Sequence, residues 1–286
     1  DIIVGGHSNT LLSNTDDGAA GPYPMMIGLT AIVQAYAYGK YLGELNVTFD
    51  DSGKIIGIEG EPNLLDGTVA EDGAVKDRVA ELALPLDEIR NKVVASAAGD
   101  IDGDRANCRQ VECSMGNLVA DAMLDRVKDQ GIQVAIANSG GLRASIGAGD
   151  VTMGQVLTVL PFQNTLSTFQ VTGVTLLDAL ENGVSQHEDV AGRFPQVAGM
   201  TFAFDVSQPV GSRISDVKVG GAPLDPNKVY GVVSNNFIRG GGDGYRMFRD
   251  AMNVYDYGPD LADVLAEYMA ANAPVEPYLD GRIVQK

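Results

Sequence analysis

The side chains best suited to chemistry lie in glycine-rich loops. Val134-Ala135-Ile136-Ala137 is a run of small apolar residues that reads as a short buried strand, and it breaks into Asn138-Ser139-Gly140-Gly141-Leu142-Arg143. In an α/β sheet, ligands usually sit at the loop that leaves the carboxyl end of a strand. The paired glycines let the backbone approach a bound group, and Arg143 offers a planar fork to an anionic oxygen. Read alone, the segment is better described as a glycine turn carrying a surface arginine, and the other loops shift that balance. Other loops add related side chains: Arg109 between two cysteines, Phe162 behind Leu160-Pro161, and Phe237 ahead of Gly240-Gly241-Gly242-Asp243. Together they suit a nucleotide. Two rings would sandwich a base, arginines would meet phosphate oxygens, and Asp243 would accept from ribose hydroxyls. Plainer roles stand beside these, since a loop phenylalanine is usually a core filler and an aspartate before glycine a turn residue. The three glycines are not a Walker-type phosphate cradle, because no Gly-Lys-Ser/Thr follows.

A second candidate lies near the start. His7 follows the strand-like Ile2-Ile3-Val4 and two glycines, a position from which it could ligate a metal, and Asn9 could add an oxygen or a supporting hydrogen bond. A histidine capping a turn would look the same. Cys108 and Cys113 could be buried thiols, metal ligands or a local disulfide. Metal binding is disfavoured because Cys-x4-Cys lacks the usual Cys-x2-Cys reach and no histidine is near. A disulfide closing so tight a loop would contribute on the order of 2 kcal/mol and place the protein outside the reducing cytosol.

The elements that must position these groups read as α/β with mixed sheets. Ile2–Val4 looks like a core strand. Loop residues 13–25 precede β-rich segments at Thr30–Ala37, Tyr41–Phe49 and Lys54–Glu59. Residues 60–73 look like a boundary. Val75, Val79, Leu82, Leu86 and Ile89 recur at helical steps, and Pro85 is expected to kink or split that helix. Further on, a strand is expected at Lys92–Ala97 and a helix at Met115–Lys128. Short helical and strand segments at Thr152–Val159 and Ser167–Thr172 lead to a helix at Gly173–Ser185. One continuous strand is expected at Pro195–Asp205, another at Tyr230–Ser234, and a last helix at Leu261–Ala271.

The totals bound the function. A chain of 286 residues suits roughly two domains, and 45% hydrophobic residues can bury a sizeable core. A formal net charge of −18 argues against nucleic acid or an anionic membrane surface as the main partner, so an anionic ligand would depend on a few local arginines. No apolar run approaches a membrane span and no signal peptide opens the chain, which reads as beginning within a fold already under way.

Taken in order, these motifs resemble the 5′-nucleotidase family of extracellular and periplasmic metallophosphatases. The resemblance is carried by Gly5-Gly6-His7-Ser8-Asn9-Thr10, Cys108-Arg109, Cys113-Ser114-Met115-Gly116-Asn117-Leu118 and Asn138–Arg143. It continues through Leu160-Pro161-Phe162, the segment Gly192–Gly199, and Asn236-Phe237 with Gly241-Gly242-Asp243-Gly244-Tyr245. It implies residues 1–73 as the end of a metallophosphatase β-sandwich domain, 74–92 as a connecting helix with hinge character, and 93–286 as the C-terminal nucleotide-binding domain. It further implies that Phe162 and Phe237 stack on the base with Asn138 nearby, that Arg109 and Arg143 face the phosphate, and that Asp243 binds ribose. His7 and Asn9 would belong to a centre of two divalent metal ions, such as zinc or manganese. The remaining ligands of such a centre are missing, since His7 and His187 are the only histidines. The chain is therefore expected to bind nucleosides or nucleotides without hydrolysing them, the hydrolysis belonging to an intact parent located in the periplasm or outside the cell. The alternatives are a free-standing nucleoside-binding module, or a related phosphoesterase acting on nucleotide sugars or cyclic nucleotides.

Overall fold

The computed structural model describes residues 2–286, and the chain divides into two compact units, one ending at Leu82 and the other running from Ala83 to Lys286. The first unit holds five strands: β1 (Ile2–Val4), β2 (Met25–Ile27), β3 (Thr30–Val33), β4 (Tyr41–Phe49) and β5 (Ile55–Leu64). β3 lies between β1 and β2, while β4 and β5 form a separate antiparallel hairpin. The core of this unit is small, built on Leu12, Tyr23 and Val33 with Met25 and Leu45 packed against them. β1 is not the core strand expected. Among the described residues it is a sheet edge paired only with β3, and Val4 is 82% exposed. An open groove of about 750 Å³ in this unit is lined by apolar groups such as Met26, Leu29, Phe49 and Ile56, and none of the candidate site residues borders it.

Helix α1 (Gly73–Asn91) spans the boundary between the units as one continuous helix with Pro85 inside it. None of its residues is buried, so water can satisfy the carbonyl that a proline leaves unpaired. The split expected at Pro85 does not occur.

The second unit contains β6 (Val93–Ala97), α2 (Arg105–Cys108), α3 (Ser114–Arg126), β7 (Val134–Asn138), β8 (Gly149–Thr152), α4 (Met153–Val159), β9 (Leu166–Thr172) and α5 (Gly173–Val184). It continues with β10 (Pro195–Ala198), β11 (Met200–Phe204), β12 (Ile214–Val219), β13 (Ala222–Pro223), β14 (Val229–Asn235), α6 (Asn236–Arg239), β15 (Met252–Tyr255), α7 (Leu261–Ala271) and β16 (Ile283–Gln285). Its centre is a five-stranded mixed sheet in the order β10-β7-β14-β9-β15, in which β7 and β14 run parallel. Every residue of β7 is buried, and alternation divides them between two cores. Ala135 and Ala137 pack with α3, α4 and α7 on one face, while Val134 and Ile136 pack with α5, β11 and Phe248 on the other. Each such large apolar side chain contributes roughly 1.5–3 kcal/mol by leaving water.

The segment 195–205 forms two strands rather than one. Gly199 adopts φ +71°, and a Cβ there would lie 2.0 Å from the Gln133 carbonyl oxygen, so the chain can turn at this point only without a side chain. β10 therefore stays in the five-stranded sheet, while β11 joins β13, β12 and β16 in a second sheet of four strands.

Candidate nucleotide site

The register of the central sheet explains why loops far apart in sequence converge. β7 and β14 are parallel neighbours, so their carboxyl ends, Asn138 and Asn235, emerge on the same edge. β10 is antiparallel to β7 with Pro195 opposite Asn138, and β9 is antiparallel to β14 with Leu166 opposite Asn235. The segments that enter β10 and β9, carrying Gly192-Arg193 and Phe162, thus reach that edge too.

At its centre Asn138, 4% exposed, donates from Nδ2 to Asp243 Oδ2 at 2.7 Å. Its Oδ1 accepts from Asn235 Nδ2 at 2.8 Å. Asp243 has φ +50°, uncommon for a residue with a side chain, and its carbonyl accepts from Asn182 Nδ2 of α5 at 3.2 Å. Asn182 Oδ1 in turn accepts from Arg193 Nη1 at 3.4 Å, and the Tyr245 hydroxyl donates to the Arg193 carbonyl at 2.7 Å. Gly140 and Gly192 meet backbone to backbone, with Gly140 N–H donating to Gly192 O at 2.8 Å. A Cβ on Gly140 would lie 3.0 Å from Gly192 Cα.

The two phenylalanines are half exposed, Phe162 at 54% and Phe237 at 47%, so neither is a core filler. Phe237 lies on α6, the single turn that Asn235 caps through its Oδ1 and the Ile238 N–H. Its ring covers Gly242, where a Cβ would come within 2.5 Å of Cε2 and Cζ. Asn236 joins the two aromatic loops: its N–H donates to Thr165 O at 2.9 Å, and its Oδ1 accepts from Thr165 N–H at 3.2 Å. The Arg143 guanidinium lies over the Phe162 ring, 5.5 Å from its centroid.

Arg109 approaches from the disulfide loop. Cys108 and Cys113 are bonded to each other, as the sequence suggested. Gln196 of β10, fully buried, donates to the carbonyls of Cys108 and Val111 at 2.9 and 2.8 Å and so ties the loop to the central sheet. Burial, with Arg105 and Arg143 close by, lowers the Arg109 pKa from its ordinary value, and Asp243 opposes that shift. Nη1 of Arg109 reaches the Val190 carbonyl at 3.3 Å, while its buried Nε has no partner among the described residues.

All six residues singled out from sequence, Arg109, Asn138, Arg143, Phe162, Phe237 and Asp243, thus stand on or beside one sheet edge. Sequence reading passed over Asn235, Asn182, Arg193 and Gln196 as site components. An asparagine at a strand-to-helix junction is a capping signal, and a glutamine inside an apolar strand calls for buried partners, so two of the four had a readable sign.

His7 and Asn9 occupy an exposed loop of the first unit, with φ +67° and +56°. Among the described residues no group of three or more His, Cys, Asp or Glu side chains gathers as a metal site would require. The pair does not by itself fit a metal centre. His187 is buried against Phe194 and Phe204, with Nε2 3.0 Å from the Gln110 carbonyl, which is a packing role.

Comparison with known proteins gives the family. Residues 93–250 match the family model described as the 5′-nucleotidase, C-terminal domain. Over 99% of its length the chain is 34% identical to the 5′-nucleotidase of Rattus norvegicus, covering 54% of that protein. It is likewise 34% identical to the snake venom 5′-nucleotidase of Naja atra, covering 59% of it. The solved structure of a 5′-nucleotidase precursor from Thermus thermophilus is 41% identical and superposes with a TM-score of 0.73, across 99% of this chain and 59% of that one. The chain therefore spans little more than half the length of these relatives. Its matched residues make it a member of the 5′-nucleotidase family, bearing that family's C-terminal domain.

Proposed function

We propose that this chain is the nucleoside-recognition part of a 5′-nucleotidase, an enzyme that releases phosphate from nucleoside 5′-monophosphates. The observation that carries the reading is the company at one sheet edge: two half-exposed phenylalanine rings, two arginines and one oriented carboxylate, in a chain of net charge −18. The rings of Phe162 and Phe237 bracket the base, and each stack is worth roughly 1–3 kcal/mol. Asp243 accepts from the ribose hydroxyls, with Asn138 beside it at the base. Arg109 and Arg143 meet the phosphate, where the unpartnered Nε of Arg109 and the crowding of like charges favour an anion. Residues 93–286 form this recognition domain, with 74–92 as a connecting helix and 1–73 as the end of a metallophosphatase domain.

Hydrolysis requires the two divalent metal ions that the resemblance implies, and His7 with Asn9 is too small a donor set to hold them. The chain alone is therefore a binder without phosphatase activity. Localisation outside the cytosol is supported by the disulfide and by the likeness to a venom enzyme. Among the described residues no helix is long and apolar enough to cross a membrane.

Calorimetric titration with adenosine and AMP, alongside phosphate release from AMP with added zinc or manganese, tests the reading. Saturable binding of both ligands with no release is expected. Absence of binding overturns the recognition role. Turnover like that of an intact nucleotidase, with contaminants excluded, overturns the separation of recognition from hydrolysis.

A further inference from the structure

We propose that Asn235 is a positioning residue for sugar selection, setting the direction of the Asp243 carboxylate through Asn138. The proposal rests on the ribose reading of Asp243 given above and assigns a role to a side chain that lies behind the site.

A carboxamide has two ends of nearly the same shape and opposite hydrogen-bonding sense. If Asn138 turned its NH2 group away, its oxygen would face the Asp243 carboxylate, and attraction would become repulsion. Three bonds running one way prevent this. The backbone N–H of Ile238 can only donate, and it is bound by Asn235 Oδ1 at 3.0 Å. Asn235 must then turn its NH2 toward Asn138, whose Oδ1 accepts it at 2.8 Å. The NH2 of Asn138 is left to face Asp243 Oδ2, which accepts it at 2.7 Å. One end of the chain is an obligate donor and the other a carboxylate oxygen, so only one orientation of both amides satisfies every group. Asn235 is 1% exposed and Asn138 4%, which leaves little room for water to substitute for either.

The backbone of Asp243 is held separately, by the bond from Asn182 to its carbonyl. Its carboxylate has no other side-chain hydrogen bond among the described residues than the one from Asn138. With one lone pair of Oδ2 occupied in this way, Oδ1 and the remaining lone pairs have no side-chain partner among the described residues, and two neighbouring hydroxyls need such acceptors. The cap that Asn235 places on α6 links the same side chain to the turn carrying Phe237. Aromatic stacking and sugar selection therefore share an anchor, but only sugar selection depends on which way the amides point.

The substitution Asn235→Asp separates the two. A carboxylate at 235 still accepts from the Ile238 N–H, so the cap survives. It presents an acceptor to the Asn138 oxygen, so the bond that fixed the Asn138 amide is gone and that amide is free to turn its own oxygen toward Asp243. Binding of adenosine and 2′-deoxyadenosine is measured by calorimetry on the full chain at pH 8, with a melting curve for each protein. The unmodified chain should prefer adenosine by roughly tenfold or more, as loss of a hydrogen bond to a charged group implies. In Asn235→Asp that preference should collapse to about twofold or less, with 2′-deoxyadenosine bound nearly as before. If this variant shows no cooperative melting transition, Asn235→Ser takes its place, because serine keeps a cap and cannot reach Asn138. A purely structural role would weaken both nucleosides by the same factor, and that result overturns the proposal, as does a preference that survives. Equal binding of the two nucleosides by the unmodified chain, or no binding, would instead remove the ribose reading beneath it.

Discussion

Truncating Phe237 to alanine separates a ring that binds from a ring that merely packs. The side chain is 47% exposed, so about half of its surface is already in water. Removing a fully buried phenylalanine costs roughly 3–5 kcal/mol, and a half-exposed one about half of that at most. The turn itself should persist, because its cap comes from Asn235 and its link to the Phe162 loop from Asn236, neither of which needs the ring. The binding loss is independent of that cost. One base–aromatic stack is worth roughly 1–3 kcal/mol, or about five- to 150-fold in Kd for adenosine. Calorimetry paired with a melting curve reads both quantities, and Phe237→Tyr, which keeps a ring face, should bind within a few-fold of the unmodified chain. Unchanged adenosine affinity in Phe237→Ala together with a large fall in Tm would refute the stacking argument and make Phe237 a packing residue.

Gly242→Ala should weaken adenosine binding several-fold with little change in Tm, since the added methyl would lie 2.5 Å from the Phe237 ring and push it aside; titration of this variant checks it. Arg143→Ala should cost AMP roughly ten- to a hundredfold and adenosine only a few-fold, because a charge-assisted bond to phosphate is lost as well as the cover over Phe162. An equal loss for the two ligands would place Arg143 away from the phosphate. Replacing Cys108 and Cys113 by serine should lower stability by about 2 kcal/mol, read from denaturant midpoints. A last prediction concerns acid. Arg213, 6% exposed and bonded to Glu188, holds that carboxyl down at about 2, below its ordinary 4.5. A depressed folded-state pKa stabilises fully above the unfolded value and is lost as pH falls through the folded one. Glu188→Gln should thus lower Tm at neutral pH and flatten the fall in Tm between pH 4.5 and 2, as melting curves across that range would show.

The parts of this fold that the sequence made legible are those whose signal is local. β7 could be read because a run of small apolar residues has no polar face to give to water, and both of its faces are indeed buried. The loop behind it could be read because glycines and an arginine at a strand end have few other uses. What brings that loop to its partners is the pairing of Val134 with Val232, and no local pattern announces so distant a register. The same limit applies to α1: its apolar spacing predicts a helix correctly, but whether Pro85 breaks it depends on whether water reaches the freed carbonyl, and no residue of this helix is buried. Gly199 shows a third case. Its neighbours all favour a strand, and only the Gln133 carbonyl pressed against its α-carbon reveals why the strand has to turn.

Gln196 carries this reasoning into the site itself. Its partners are backbone carbonyls of Cys108 and Val111, which any residue types would supply, so the sequence holds no complementary side chain to find. Its effect is nonetheless specific. With the disulfide, it fixes the loop that holds Arg109 close to Arg105 and Arg143, where burial first and the repulsion of like charges second lower the pKa of Arg109. A flexible loop would relieve that repulsion by moving apart. A loop pinned at two carbonyls and one covalent bond is held against that movement, so the repulsion is retained. If these guanidinium groups meet a phosphate, as proposed, the rigidity that Gln196 and the disulfide supply serves affinity for a negatively charged ligand, in a protein whose overall charge of −18 would otherwise repel it.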